Sequence, residues 1–260
     1  EILEGLYARS PEPHLAELAH HFLEGLPGGD VDKAVAYAIR AGDRADEQYA
    51  YAEAAIHYGR ALQALELKEP PDERLRCEVL LRFGEAHWST GGLEKNNLQP
   101  YEEAAVLAER LGSPELFARA ALGLGGPGVG QATGDWSRID LVDRALAALD
   151  DRDSALRARL MSRLAGLRAF AGMPEGKETL ARAALEMARR VGDGRALAYV
   201  LSATPWASGS PDDVEERLER ADELIRLADE VGSERLAADG HAWKVCYSLE
   251  IGDIDSADRE

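Results

Sequence analysis

Helix-ending signals return along this chain at a fixed interval, and that interval limits what the chain can fold into. Ala108-Glu109-Arg110-Leu111-Gly112, Ala188-Arg189-Arg190-Val191-Gly192 and Ala228-Asp229-Glu230-Val231-Gly232 share one pattern, with glycines at 112, 192 and 232. A second series, Gly134, Gly172, Gly209 and Gly252, keeps nearly the same beat. The period is near 40 residues, which accommodates two helices per unit. A two-helix unit cannot bury its own apolar face, so successive units must stack. The sequence predicts an all-α solenoid of helical hairpins.

The local chemistry agrees. Ala, Leu, Glu and Arg dominate, and these are strong helix formers. No alternating run of β-branched residues makes a strand. In Leu111-Gly112-Ser113-Pro114-Glu115 a glycine suited to the left-handed conformation is followed by a capping serine. A proline then stands at the first helical position, with an acid at the positive end of the helix dipole. Ser210-Pro211-Asp212-Asp213 and Val231-Gly232-Ser233-Glu234 repeat the logic. Helices are expected over 14–26, 31–48, 51–67, 72–89, 100–111, 114–123, 135–149, 153–171, 175–191, 194–203, 211–231 and 233–250. Within 211–231, Val214, Leu218, Ala221, Leu224, Ile225, Ala228 and Val231 form one apolar stripe. Glu215, Glu216, Glu219, Asp222, Glu223 and Arg226 face the other way.

Charge excludes some functions. The 260 residues carry 48 Asp and Glu against 30 Lys and Arg, a net charge of −18. Nucleic-acid contact by this segment is not expected, because phosphate binding needs clustered basic residues. The balance favours a basic or neutral peptide partner, or serves solubility alone. No apolar run is long enough to span a membrane. Two cysteines, Cys77 and Cys246, supply neither a disulfide framework nor a cysteine zinc site, and a reducing, cytoplasmic setting fits them.

Chemistry-bearing motifs are few. Gly123-Leu124-Gly125-Gly126-Pro127-Gly128 matches G-x-G-x-x-G, but a helix precedes it and Pro127 interrupts it. It reads as a loop at the end of a repeat helix. No phosphate-binding loop is present. His14, Glu17, His20 and His21 lack the spacing of a metal site, and His20 and His21 are expected to pack or cap at an interhelical contact. His57-Tyr58 and His87-Trp88 have no nucleophile beside them. Asp150-Asp151 and Asp212-Asp213 read as helix-start charges. No catalytic residue, cofactor or metal is expected. Trp88, Trp136, Trp206 and Trp243 fall at or near expected helix ends or turns. Trp88, Trp206 and Trp243 are the candidate partner-binding residues, with core packing as the alternative role for each.

Leu80-Leu81-Arg82-Phe83-Gly84-Glu85-Ala86-His87-Trp88-Ser89-Thr90-Gly91-Gly92 resembles the first helix of a tetratricopeptide (TPR) repeat. Gly29-Asp30-Val31-Asp32-Lys33-Ala34 and Gly252-Asp253-Ile254-Asp255-Ser256-Ala257 resemble the turn into its second helix. Gly92 stands where Asp is usual, Asn96-Asn97-Leu98-Gln99-Pro100 reads as an insertion, and the period exceeds the family's 34. The repeats are therefore degenerate, and the resemblance implies a right-handed superhelix.

The N-terminal quarter carries a second resemblance. Pro13-His14-Leu15-Ala16-Glu17-Leu18-Ala19-His20-His21-Phe22-Leu23, Asp32-Lys33-Ala34-Val35-Ala36-Tyr37-Ala38, Ala41-Gly42-Asp43-Arg44-Ala45 and Tyr51-Ala52-Glu53-Ala54-Ala55-Ile56-His57-Tyr58 resemble the helical region of bacterial STAND-type ATPase regulators. These are the LuxR/MalT-like transcription regulators and cyclase-associated ATPases, especially actinobacterial ones. The resemblance implies a segment over 1–67 that follows an ATPase and winged-helix module, then one continuous TPR-like solenoid over 68–260 that is cut at its C-terminal end. It implies a non-catalytic sensor or arm. A protein, peptide or small inducer would occupy its concave groove, and other domains of the regulator would be partners. The alternative is a stand-alone adaptor that binds a peptide.

Overall fold

The computed structural model describes residues 2–7, 10–26, 28–90, 98–124, 136–173, 175–207 and 213–259. Residues 125–128 of the G-x-G-x-x-G run, Gly91-Gly92, Asn96-Asn97, Gly134 and 208–212 lie outside them, as do the side chains of Trp136 and Trp206. The described residues are helical and hold no strand.

The chain divides into two compact units, Glu1–Leu124 and Gly125–Glu260. In the first, α1 (Ile2–Tyr7) precedes α2 (Leu15–Glu24), α3 (Val31–Glu47), α4 (Tyr51–Leu65), α5 (Glu73–Ser89), α6 (Gln99–Arg110) and α7 (Pro114–Leu124). From α2 onward each helix packs on the next, and α5 also touches α7. The second unit holds α8 (Trp136–Ala148), α9 (Ala155–Phe170), α10 (Lys177–Val191), α11 (Gly194–Ala203), α12 (Val214–Glu230), α13 (Glu234–Glu250) and α14 (Ile254–Ala257). Again neighbours pair, and α9 meets α11 while α11 meets α13. That combination defines stacked hairpins. The first helices form one layer, and α10 and α12 each pack on the first helices before and after them.

The repeat is written in the caps. Ser154, Asp193 and Ser233 accept hydrogen bonds from the backbone N–H of Arg157, Ala196 and Leu236, at 3.2, 2.9 and 3.4 Å. Each begins a first helix. Gly192 and Gly232 end the preceding second helices at φ 73° and 67°, a conformation that costs glycine nothing.

First and second helices bury differently. In α10 only the stripe Ala181, Ala184, Leu185, Met187 and Ala188 is buried. In α9, Leu160, Met161, Ser162, Arg163, Leu164 and Ala165 are all buried in succession, because this helix is covered on several sides. In α12 the buried residues are Ala221, Leu224, Leu227 and Ala228. Val214, Leu218, Ile225 and Val231 are half-buried, and Leu227, absent from the expected stripe, takes the core position.

Two expectations change. Leu124, read as part of the loop, is the last residue of α7, while Gly123 of the expected helix 114–123 lies in α7 against the ring of Tyr101. His20 and His21 are exposed, not packed at a helix contact. His20 instead rims a cleft of about 280 Å³ between α2 and α4, with Leu23, Arg60, Gln63 and Leu67.

Candidate functional site

The buried polar side chains of the second unit, Ser162, Arg163, Ser202, Thr204 and Ser248, lie on or directly after its first helices. Arg159 and Arg163 lie one turn apart on α9. Tyr199 and Ser202 stand on α11, and Asp239, Trp243 and Tyr247 on α13. Arg159, Tyr199 and Asp239 occupy one register, at intervals of 40 residues. Stacking of α9 on α11 and α11 on α13 brings these positions side by side.

Arg163 is buried, with 9% of its surface exposed. Its Nε and one Nη donate to the Tyr199 hydroxyl at 3.0 and 2.6 Å. The Arg159 guanidinium lies 4.5 Å from the centre of the same ring, a cation–π contact. Two guanidinium groups therefore share one tyrosine. Burial pushes the Asp239 carboxyl above its usual range, against the pull of Arg235, Arg163 and a hydrogen bond with Ser202.

Trp243 is half-buried. Its indole N–H donates to the Ser202 carbonyl at 3.2 Å, and its ring stacks on Tyr247 at 5.7 Å. With Thr204, Pro205, Arg217 and Leu224 it lines a cavity of about 10 Å³, the room of a single water. Arg217 lies 4.6 Å from the Tyr247 ring centre and pairs with the Glu250 carboxylate.

The three sequence candidates separate. Trp243 sits in the middle of α13, not near a helix end as expected. Trp206 closes the one-turn 3₁₀ helix Thr204–Trp206, and its side chain lies outside the description. Trp88 is half-buried in the last turn of α5, in the other unit. Motif reading missed Arg159, Arg163 and Tyr199. Their signal was periodic: the same position in consecutive hairpins carries Arg, Tyr and Asp.

Among the described residues no group of three or more His, Cys, Asp or Glu is placed to hold a metal ion. His14 stacks on Tyr7 at 3.6 Å and approaches Glu17 at 3.5 Å. His57 is buried beside Glu53. No described helix is long and apolar enough to cross a membrane.

No protein-family model and no curated protein matches the chain. Among solved structures, it is similar to a Rap protein complexed with competence and sporulation factor. The TM-score is 0.63 at 13% identity, over 98% of this chain and 69% of that one. Together with the capped, stacked hairpins, this likeness shows a TPR-like helical-repeat fold.

Proposed function

We propose that this chain is a non-catalytic, partner-binding helical-repeat module, and that the α9–α11–α13 layer of its second unit is the recognition face. One observation carries the reading. Positions in register across that layer hold Arg159, Tyr199 and Asp239, with Arg163 and Trp243 beside them, where packing alone would favour Leu or Ala. Arginine, tyrosine and tryptophan are the residues on which binding energy concentrates. The similar Rap protein was solved complexed with competence and sporulation factor. That supports a peptide or protein as the partner of a chain with this fold.

The finer reading follows the N-terminal resemblance. The chain is the sensor or arm of a cytoplasmic STAND-type regulator, with residues 1–67 joined to its ATPase module and 68–260 forming the sensing solenoid. A protein or inducer on the repeat face shifts the regulator between two packings, which requires different affinity for the two. Equal ligand affinity in the ATP-bound and ADP-bound forms of such a full-length regulator would remove this finer reading and leave the adaptor.

The module reading is tested by selecting peptides from a displayed random twelve-residue library against the chain. The selected peptides are then measured on Arg159→Gln and Trp243→Ala variants whose circular dichroism matches the parent. Loss of about tenfold or more in affinity, roughly 1.4 kcal/mol, is expected. Undiminished binding by both variants rejects this face.

A further inference from the structure

The cleft between α2 and α4 of the first unit is bordered by four polar side chains that the described chain leaves unused. His20 and Glu24 stand in the second half of α2, Arg60 and Gln63 in that of α4, and all four are exposed. None makes a side-chain hydrogen bond or ion pair with a described residue. Glu24 and Arg60 are opposite charges on one cleft, yet they do not pair with each other. Elsewhere in the unit, charges close on one another: Lys33 meets Glu4 at 2.7 Å, Lys68 meets Asp32 at 2.8 Å and Arg76 meets Glu103 at 2.7 Å.

The floor of the cleft is apolar. Ala64 belongs to the core cluster of the unit, and Leu23 and Leu26 pack half-buried against that cluster. Leu67, just past the end of α4, is 50% exposed. A leucine left this open offers surface that an apolar group can cover. The space of about 280 Å³ lies at the lower edge of ligand pockets, which begin at roughly 300 Å³, and so suits one small molecule. Both helices end at the cleft, α2 at Glu24 and α4 at Leu65, and a helix C-terminus carries partial negative charge. Together with the Glu24 carboxylate, those ends favour an ammonium. Arg60, more than a turn back from the end of α4, is the cation available to a carboxylate.

We propose that this cleft binds a free α-amino acid with an apolar side chain. The ligand carboxylate meets Arg60, with Gln63 and His20 as further hydrogen-bond partners. Its ammonium meets Glu24, and its side chain lies on Leu23, Leu26 and Leu67. Both charges are required of the ligand because the cleft leaves both of its own unpaired. An anion alone would sit beside an uncompensated Glu24, and a cation alone beside an uncompensated Arg60. The site does not depend on the recognition face proposed for the second unit, and its failure leaves that reading untouched.

The test is a nitrogen-15 NMR titration of the intact chain with L-leucine and with L-phenylalanine. Each is compared with the analogue that lacks its ammonium, isocaproate or hydrocinnamate, and with the one that lacks its carboxylate, isoamylamine or phenethylamine. At least one amino acid is expected to give saturable shifts of the backbone amides in 20–26 and 60–67, and to bind about tenfold more tightly than either of its analogues. Glu24→Gln and Arg60→Gln are each expected to weaken it about tenfold with unchanged circular dichroism, since both residues are exposed. Absence of saturable shifts with both amino acids overturns the proposal. So does an analogue that binds as tightly as its parent, or binding undiminished in either variant. The analogue comparison uses the parent chain alone, so it decides the matter even where a variant fails to fold.

Discussion

The ring of Tyr101 fills the space where a β-carbon on Gly123 would stand: a carbon built there lies 2.1 Å from the tyrosine Cε1. The same ring meets Gly84, where a β-carbon would lie 2.7 Å from Cζ. Tyr101 of α6 thus bridges α5 and α7 by using the missing side chains of both. Gly123→Ala is expected to destabilise the first unit by about 1–3 kcal/mol through overpacking. Urea-denaturation midpoints read this directly. Gly166→Ala is the control: its β-carbon would meet nothing nearer than 4.0 Å, and helix propensity predicts a gain of about 0.5–1 kcal/mol.

His57 gives stability a pH dependence with a definite sign. It is buried, its Nδ1 has no partner, and burial lowers its pKa below the ordinary histidine value of 6.5, while Glu53 pulls the other way. The unfolded chain therefore binds the proton more readily than the folded one. Stability is fully present above pH 6.5 and is lost as the pH falls from there towards the lower folded-state pKa. Urea midpoints between about pH 7.5 and 5.5 should fall for the parent and fall less for His57→Gln. Parallel slopes would assign the dependence to other groups.

Trp243→Phe separates anchoring from recognition. The variant keeps an aromatic ring over Tyr247 and loses the N–H bond to the Ser202 carbonyl. A stability loss of about 0.5–1.5 kcal/mol is expected from thermal or chemical unfolding. If affinity for selected peptides falls further than this stability change accounts for, the indole contributes to binding itself.

The two thiols should differ sharply towards a colorimetric disulfide reagent. Cys246 is exposed. Cys77 is fully buried, its thiol faces the Ala104 carbonyl at 3.3 Å, and burial pushes its pKa up to about 11. Native protein should release one equivalent quickly, and denatured protein two.

Helix positions were legible because they are specified locally. Capping Asp193 and Ser233, and the glycines before them, announce themselves without reference to the rest of the chain. α11 occupies 194–203, the expected range, and α9, α10, α12 and α13 depart by one to three residues at an end. Contacts across helices were less legible. Gly123 falls inside the expected helix 114–123, but nothing in the sequence says that Tyr101 needs its space. Leu227 competes with Ile225 for the core, and only the neighbouring helices decide between them. The row of Arg159, Tyr199 and Asp239 belongs to no motif, because its members are joined by stacking and not by sequence proximity.

The neighbour-only packing of each unit also bears on how quickly it can form. The α-helix contacts join elements one or two apart in the chain, and only the short 3₁₀ helix Thr204–Trp206 is described reaching further, back to α9. Closing such short loops costs little chain entropy. Chains dominated by local contacts reach the native state fastest, in microseconds to milliseconds, while those built on distant pairings take far longer. Either unit can begin ordering at any hairpin and grow outward in both directions, with no single nucleus that must assemble first.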